Sequence, residues 1–327
     1  MDAFRLAVKR MLRRLAFDGG LIIIRAFENP NLNTEQRFRF CVIADCHFGV
    51  RTAFADQGVI EDINLLSPDY ALVLGDISGS PGAGGPEATQ RAVALLRGLR
   101  MPWRNLIGNH DMEFDGLETD RDSILLWLRE HGYKLPWHRE DRGPLTFLFL
   151  STERFREHVV QPHEVYLTPR QFAWVDSELR RCENRPVVIA CHAPILGSGI
   201  CVKPELHVRA GNAYANQNHV PGQFLELGYR HKNALFWFSG HSHLSHQQPN
   251  AINNVLGIHF VHVGTTSVEQ AREIKRHSRV VDVEPERVVI RTFDHDKRAL
   301  DASLDFVIPH SLDHLLAARR EGRNRES

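Results

Sequence analysis

Five short polar clusters interrupt apolar runs in this 327-residue chain: Asp45-Cys46-His47, Gly75-Asp76, Gly108-Asn109-His110-Asp111, His192 and His241-Ser242-His243. Seven of these side chains, Asp45, His47, Asp76, Asn109, His192, His241 and His243, offer nitrogen or oxygen donors to a divalent ion. Mixed imidazole and carboxylate sets suit manganese, iron or zinc, and no thiolate is required. Seven donors are too many for one tetrahedral centre. They suit two ions sharing a bridging carboxylate, and Asp76 is central in the chain order. In an extended strand end, residues two apart project to the same side. Asp45 with His47, and His241 with His243, are therefore expected to aim as pairs. Taken singly, each cluster is an ordinary loop; their joint order points to a site.

The elements that must position these residues follow a strand–loop–helix rhythm. Apolar runs at 37–43, 70–74, 103–107, 186–191 and 234–238 each lead into one of the clusters. Helices are expected near 54–66, 87–98, 121–131 and 168–182, the last opened by Thr168 with Pro169 at the first helical position. Further strands are expected at 146–150, 257–263, 279–283 and 287–293. This alternation favours an α/β fold with a largely parallel sheet, in which functional residues gather beyond the carboxyl ends of strands. The Gly-, Asn- and His-rich passage 196–220 has no period and is too long for an ordinary connection, which suits a substrate loop. Tyr214, Asn216 and Asn218 are its substrate-contact candidates. His207, His219, His246, His259 and His262 read as ordinary hydrogen-bonded or surface histidines.

Lys+Arg and Asp+Glu balance at 40 each, so no basic field argues for nucleic acid. Five cysteines, an odd number without a C-x-x-C pair, favour reduced thiols and a cytosolic protein. No apolar run approaches the ~20 residues of a membrane-spanning helix. Residues 4–16 form an amphipathic pattern with a basic face. It suits packing on the body or on a second copy in a homodimer, or peripheral contact with an anionic membrane. The chain divides into an N-terminal helix and linker at 1–36, a main domain at 37–300 and a C-terminal tail at 301–327.

The ordered set Asp45-x-His47, Gly75-Asp76, Gly108-Asn109-His110-Asp111, His192 and Gly240-His241-x-His243 resembles the calcineurin-like metallophosphoesterases. Pro68-Asp69 before the second strand and Gly264-Thr265-Thr266 after a later one add to the match, which spans about residues 37–295. The resemblance implies a four-layer αββα sandwich of two mixed sheets, with some strands antiparallel. It implies two divalent ions, Mn2+ or Fe2+/Fe3+, with Zn2+ as the other option. One would be held by Asp45, His47, Asp76 and His243, the other by Asp76, Asn109, His192 and His241. A hydroxide bridging them is the implied nucleophile. His110 is implied as the general acid, with Asp111 orienting it. Purple acid phosphatases carry a tyrosine ligand three residues after the bridging Asp, where this chain has Gly79.

Within the family, the Asn-His-Asp turn is similar to that of the bacterial cyclic-nucleotide phosphodiesterases. The implied substrate is thus a small phosphodiester. A phosphomonoesterase, a lipid-headgroup hydrolase and a catalytically inactive binding scaffold of the same fold are the alternatives.

Overall fold

A computed structural model describes residues 37–156, 163–269, 272–273 and 275–323. The amphipathic pattern at 4–16 and its linker lie outside the described residues. The first sheet is seeded by β1 (Phe38–Ile43), β2 (Tyr70–Val73) and β3 (Trp103–Asn105), which run parallel. The second contains β4 (His138–Arg142), β5 (Leu145–Leu150), β6 (Val187–Cys191), β7 (Ala234–Ser239), β8 (Ile252–Val255) and β9 (Ile258–His262) in the order β4-β5-β6-β7-β9-β8. Its four inner strands are parallel, and β4 and β8 pair antiparallel at the edges. The chain then returns to the first sheet with β10 (His277–Val283), β11 (Val288–Asp294), β12 (Ala299–Leu300) and β13 (Phe306–Ile308), all antiparallel to their neighbours.

Alternation along the strands produces the layers. Phe38, Phe40 and Val42 face the second sheet and pack with Phe147, Phe149, Phe236 and Phe238. Cys41 and Ile43 face the other way, onto α1 (Ala53–Leu66) and α2 (Pro86–Leu96) through Ile60, Ile63, Val93 and Leu96. Across the second sheet, Ile189, Cys191 and Trp237 pack on α4 (Pro169–Arg181) and α5 (Gln223–Arg230) through Val175, Leu179, Phe224 and Leu227. A further helix, α3 (Asp120–His131), follows the β3 loop and buries Trp127 in a satellite cluster. Helix, sheet, sheet, helix is the four-layer sandwich that the resemblance implies. Each buried Phe between the sheets contributes about 1.5–3 kcal/mol of transfer free energy.

Helix caps follow from local chemistry. Thr168 accepts the N–H of Gln171 ahead of Pro169, as its sequence predicts. Thr119 and Asp122 form a reciprocal capping box on α3.

The expected boundary at 300 is corrected by the strand pairing. Phe306–Ile308 add to β11 at the edge of the first sheet, in register from Val288↔Ile308 to Ile290↔Phe306. α6 (Leu312–Arg323) then places Leu312 in the inter-sheet core, and Arg319 donates to the carbonyls of Gly228, at 2.8 Å, and Ala234. The "tail" up to Arg323 is therefore part of the domain. Among the described residues, no helix is long and apolar enough to cross a membrane.

Candidate metal centre

Seven of the predicted side chains meet where the ends of β1, β2, β6 and β7 and the loop after β3 converge. Asp45, His47, Asp76, Asn109, His192, His241 and His243 are all buried. Two groups of donor atoms lie within 4.8 Å of one another: Asp45, His47, Asp76 and His243, and Asp76, His192 and His241. Asp76 belongs to both. The oxygen of Asn109 completes the second, 3.0 Å from His192 Nε2.

The backbone delivers these pairs differently from the extended geometry expected of them. Asp45 (φ 50°), His47 (φ 44°), Asp76 (φ 51°), His241 (φ 69°) and His243 (φ 53°) all adopt the left-handed conformation. Such residues cost on the order of 1–3 kcal/mol each and persist only when their surroundings fix them. Here the surroundings are ladders of hydrogen bonds between strand ends: His47 N–H to Asp76 O (2.9 Å), Phe48 N–H to Ile77 O (2.8 Å) and Gly240 N–H to His192 O (2.8 Å). The chain coils just beyond each strand, so that both members of each pair turn inward. Two glycines make room. A Cβ on Gly108 would stand 2.1 Å from Asp76 Oδ1, and one on Gly240 would stand 2.3 Å from Asp45 Oδ2.

Tautomers decide what these donors can hold. His192 Nδ1 lies 2.7 Å from the carbonyl of Leu74, so it must donate there. In neutral His192, Nε2 carries a lone pair. That lone pair faces Asn109 Oδ1, His241 Nδ1 at 3.2 Å and Asp76 Oδ2 at 3.1 Å. His241 likewise donates Nε2–H to Asn212 O at 2.7 Å, leaving Nδ1 as an acceptor. Asp76 Oδ2 is buried and makes no hydrogen bond, with His192 Nε2 3.1 Å away. A buried carboxylate oxygen without a donor, surrounded by other lone pairs, is costly unless a cation sits among them. In the other group His47 and His243 bring their Nε2 atoms to 3.4 Å, and Asp45 Oδ1 lies 3.0 Å from that of His243, within hydrogen-bond reach. The donor set fits two divalent ions.

The electrostatics agree. Burial alone would push the Asp76 carboxyl up, but the imidazoles of His192 and His110 hold it well below the usual carboxylate range. Burial disfavours a charged His192, yet Asp76 and Asp45 raise it to about 10. Without an ion His192 therefore holds a proton on Nε2, a positive charge that a bound ion would displace and replace. His47 is pushed down to about 3 by burial and by His243, which leaves it neutral and able to ligate.

Asp111 does not orient His110, and this expectation is corrected. Its Oδ2 accepts the backbone N–H of Asp76 (2.8 Å) and of Gly108 (2.9 Å), and its Oδ1 that of Ile77 (3.0 Å). It ties the second and third strand ends together. The partner of His110 is Glu113, whose Oε2 is 2.5 Å from Nδ1. A single 3-10 turn, His110–Met112, brings the two together, and their i,i+3 spacing was the sequence signal for it. His110 and Glu113 are a third exposed, at the rim. The His110 ring stands 5.2 Å from that of His47.

The 196–220 passage touches the centre at two points, Asn212 O and the buried His207, whose ring is 5.2 Å from that of His241. His207 carries no mark in the sequence, because nothing in its spacing to the other clusters sets it apart. Asn216 is not a substrate contact, because its amide is engaged with Leu167 N–H (2.7 Å) and O (2.9 Å). Asn218 Nδ2 likewise donates to Gly211 O at 2.9 Å. Thr265 donates to the carbonyl of Asp45 at 2.6 Å and steadies that left-handed turn. Cys46 and Cys191 point away into the core, and burial raises the Cys191 thiol to about 12.

Comparison with known proteins places the fold and the family. A sequence search of curated proteins finds no match. Among solved structures, the fold is similar to a dimetal phosphatase from Danio rerio, with 16% identity, a TM-score of 0.60, and 84% of this chain and 99% of that one covered. It is also similar to GAP50, described as the anchor in the inner membrane complex of Plasmodium, with 10% identity, a TM-score of 0.54, and 84% and 89% covered. At these identities the likeness concerns the fold. The family model for calcineurin-like phosphoesterases matches residues 38–245, more than half of the sequence. The chain belongs to the calcineurin-like phosphoesterase family.

Proposed function

We propose that the protein is a dinuclear metal-dependent hydrolase of small phosphodiesters, cyclic nucleotides among them. The observation that carries the metal-dependent part is the shared, donorless Asp76 Oδ2 at the meeting of the two donor groups. Asp45, His47, Asp76 and His243 would hold one ion, and Asp76, Asn109, His192 and His241 the other. Mn2+ or Fe2+/Fe3+ suits this nitrogen and oxygen set, and Zn2+ is accommodated by the same donors. Two ions there supply an activated water and neutralise charge on the phosphoryl group.

The chain's own residues do the rest. His110 stands beside the first donor group with Nδ1 held by Glu113, so its other nitrogen is aimed by that pair. Burial opposes its charge, but Asp76 and then Glu113 raise it to about 9, so it carries a proton at neutral pH. Cations opposite Asp76 would bring that value down toward the range of an effective acid. His110 then gives its proton to the departing oxygen. The preference for a diester rests on the resemblance of the Asn109-His110-Asp111 turn to cyclic-nucleotide phosphodiesterases.

A phosphomonoester is the second reading, favoured by the likeness to a protein described as a dimetal phosphatase. The scaffold reading draws on the Plasmodium anchor; the complete donor set speaks against it. A manganese-supplemented panel of bis- and mono-p-nitrophenyl phosphate, cyclic nucleotides and glycerophosphodiesters, run with elemental analysis, tests all three. Diesters turned over faster than monoesters support the proposal, and the reverse order favours the second reading. No bound metal and no turnover would leave the scaffold.

A further inference from the structure

A second cluster of metal-binding atoms stands at the rim. His110, Glu113 and His163 bring one donor atom each within 4.8 Å of the others. They come from two segments: the turn after β3 and the connection between β5 and α4. His163 is half-buried and takes a left-handed backbone (φ 73°), a conformation uncommon for a residue other than glycine. That turn presents its ring to the His110 ring, at 6.1 Å, with the ring of Phe155 edge-on at 4.7 Å on another side. A hydrogen-bonded dyad of His110 and Glu113 needs no second imidazole. Two imidazoles around one carboxylate, open to solvent on the remaining side, are the donor set of a zinc site with three protein ligands and one exchangeable position.

We propose that His110, Glu113 and His163 form a third, exchangeable transition-metal site, and that filling it switches the enzyme off. Ligands of a tetrahedral ion with bonds of ~2.0–2.2 Å lie ~3.4 Å apart. Glu113 Oε2, now 2.5 Å from His110 Nδ1, must therefore withdraw by ~1 Å. Its partly exposed side chain allows that. The ion replaces the proton on Nδ1, which leaves to solvent. His110 is then a metal-bound neutral imidazole whose remaining N–H is a far weaker acid than an imidazolium. The site itself is independent of the reaction; the switch rests on the reading of His110 as the acid.

Full-length protein loaded with manganese is equilibrated against buffered free Zn2+, and manganese plus zinc per chain is counted by elemental analysis. A third equivalent is expected in the wild type and is absent from His163→Ala, which keeps two. A count of two in the wild type, or of three in His163→Ala, overturns the site whether or not any phosphoester is hydrolysed. Zinc inhibition is then read against each protein's own zinc-free rate. The wild type is expected to lose at least ~10-fold with an alkyl leaving group and less with p-nitrophenolate, which needs no acid. The inhibitory zinc concentration should rise ~10-fold or more in His163→Ala. A filled third site with undiminished turnover of the alkyl ester overturns the switch and leaves the site standing.

Discussion

Two clusters of buried histidines lie back to back in this protein, and only one is built for metal. In the first, His47, His192, His241 and His243 surround Asp45 and Asp76. In the second, His246, His262 and His277 surround Arg279. The second cluster is a hydrogen-bond network. His246 meets Val263 O at 2.7 Å and Thr292 Oγ1 at 3.0 Å, and His262 meets Leu244 O at 3.0 Å. Arg279 donates to His262 O and to Thr292 Oγ1, each at 2.9 Å. Among the described residues no carboxylate pairs with its guanidinium, and burial lowers it to about 9. Histidine count therefore says little. A carboxylate at the centre makes imidazole lone pairs converge on a cation site; a guanidinium there occupies the same space with its own charge.

The largest test of this contrast removes the central carboxylate. Asp76→Asn takes one charge from both donor groups, and metal content and turnover are expected to fall together. The rate loss should be at least ~10²-fold. Elemental analysis and the diester assay read it, and an Asp76→Asn protein that kept both metals would break the comparison. Arg279→Met should leave both metals in place, because Arg279 belongs to neither donor group.

The roles of Asp111, in the Asn-His-Asp turn, and of Glu113, just after it, come next in size. Asp111→Asn puts an amide where three backbone N–H groups converge. One donor loses its partner, at a cost of ~2–3 kcal/mol. That lowers Tm by ~5 °C for a domain of this size. Glu113→Gln should leave Tm and the manganese bound at the two donor groups around Asp76 near wild type. It should slow turnover of alkyl diesters ~10-fold and bis-p-nitrophenyl phosphate little, since the lost function is the aiming of an acid. Should Asp111→Asn show the leaving-group dependence instead, the assignment of Glu113 is wrong.

These two residues also show where sequence is legible and where it is not. Strands ending in Asp45, Asp76, Asn109, His192 and His241 could be read because short apolar runs stop at polar residues, a local pattern. The layers could be read from the resemblance and from alternation such as Phe38-x-Phe40-x-Val42. The charged strand His138–Arg142 could not. Its residues favour no strand, and it exists because β5 offers it an edge to pair with. The resemblance implies Asp111 as the partner of His110, whereas the turn geometry sends that carboxylate backward to three N–H groups. Arg279 was hidden for a different reason. An arginine inside an apolar strand gives no local sign of whether its head reaches water.

The smallest expected effect separates the clusters by pH. Burial pushes His262 down to about 4, with Arg279 opposing its charge further and Asp45 favouring it. Its unfolded counterpart titrates near the ordinary value of 6.5. A basic group whose folded pKa is depressed takes up its proton first in the unfolded chain. Its stabilising contribution is therefore complete above pH ~6.5 and drains away as pH falls toward ~4. His262→Asn keeps a donor for Leu244 O but cannot titrate. Between pH 7 and 5 the wild type should lose ~1–2 kcal/mol more than the variant, a difference of a few degrees in Tm. The measurement is made on chelator-treated protein, so that metal release from the neighbouring cluster does not enter. His246 and His277, also held neutral by burial, keep part of the slope in the variant. An unchanged slope in His262→Asn would mean that this histidine already carries its proton in the fold, and that the two clusters differ less in charge than their geometry says.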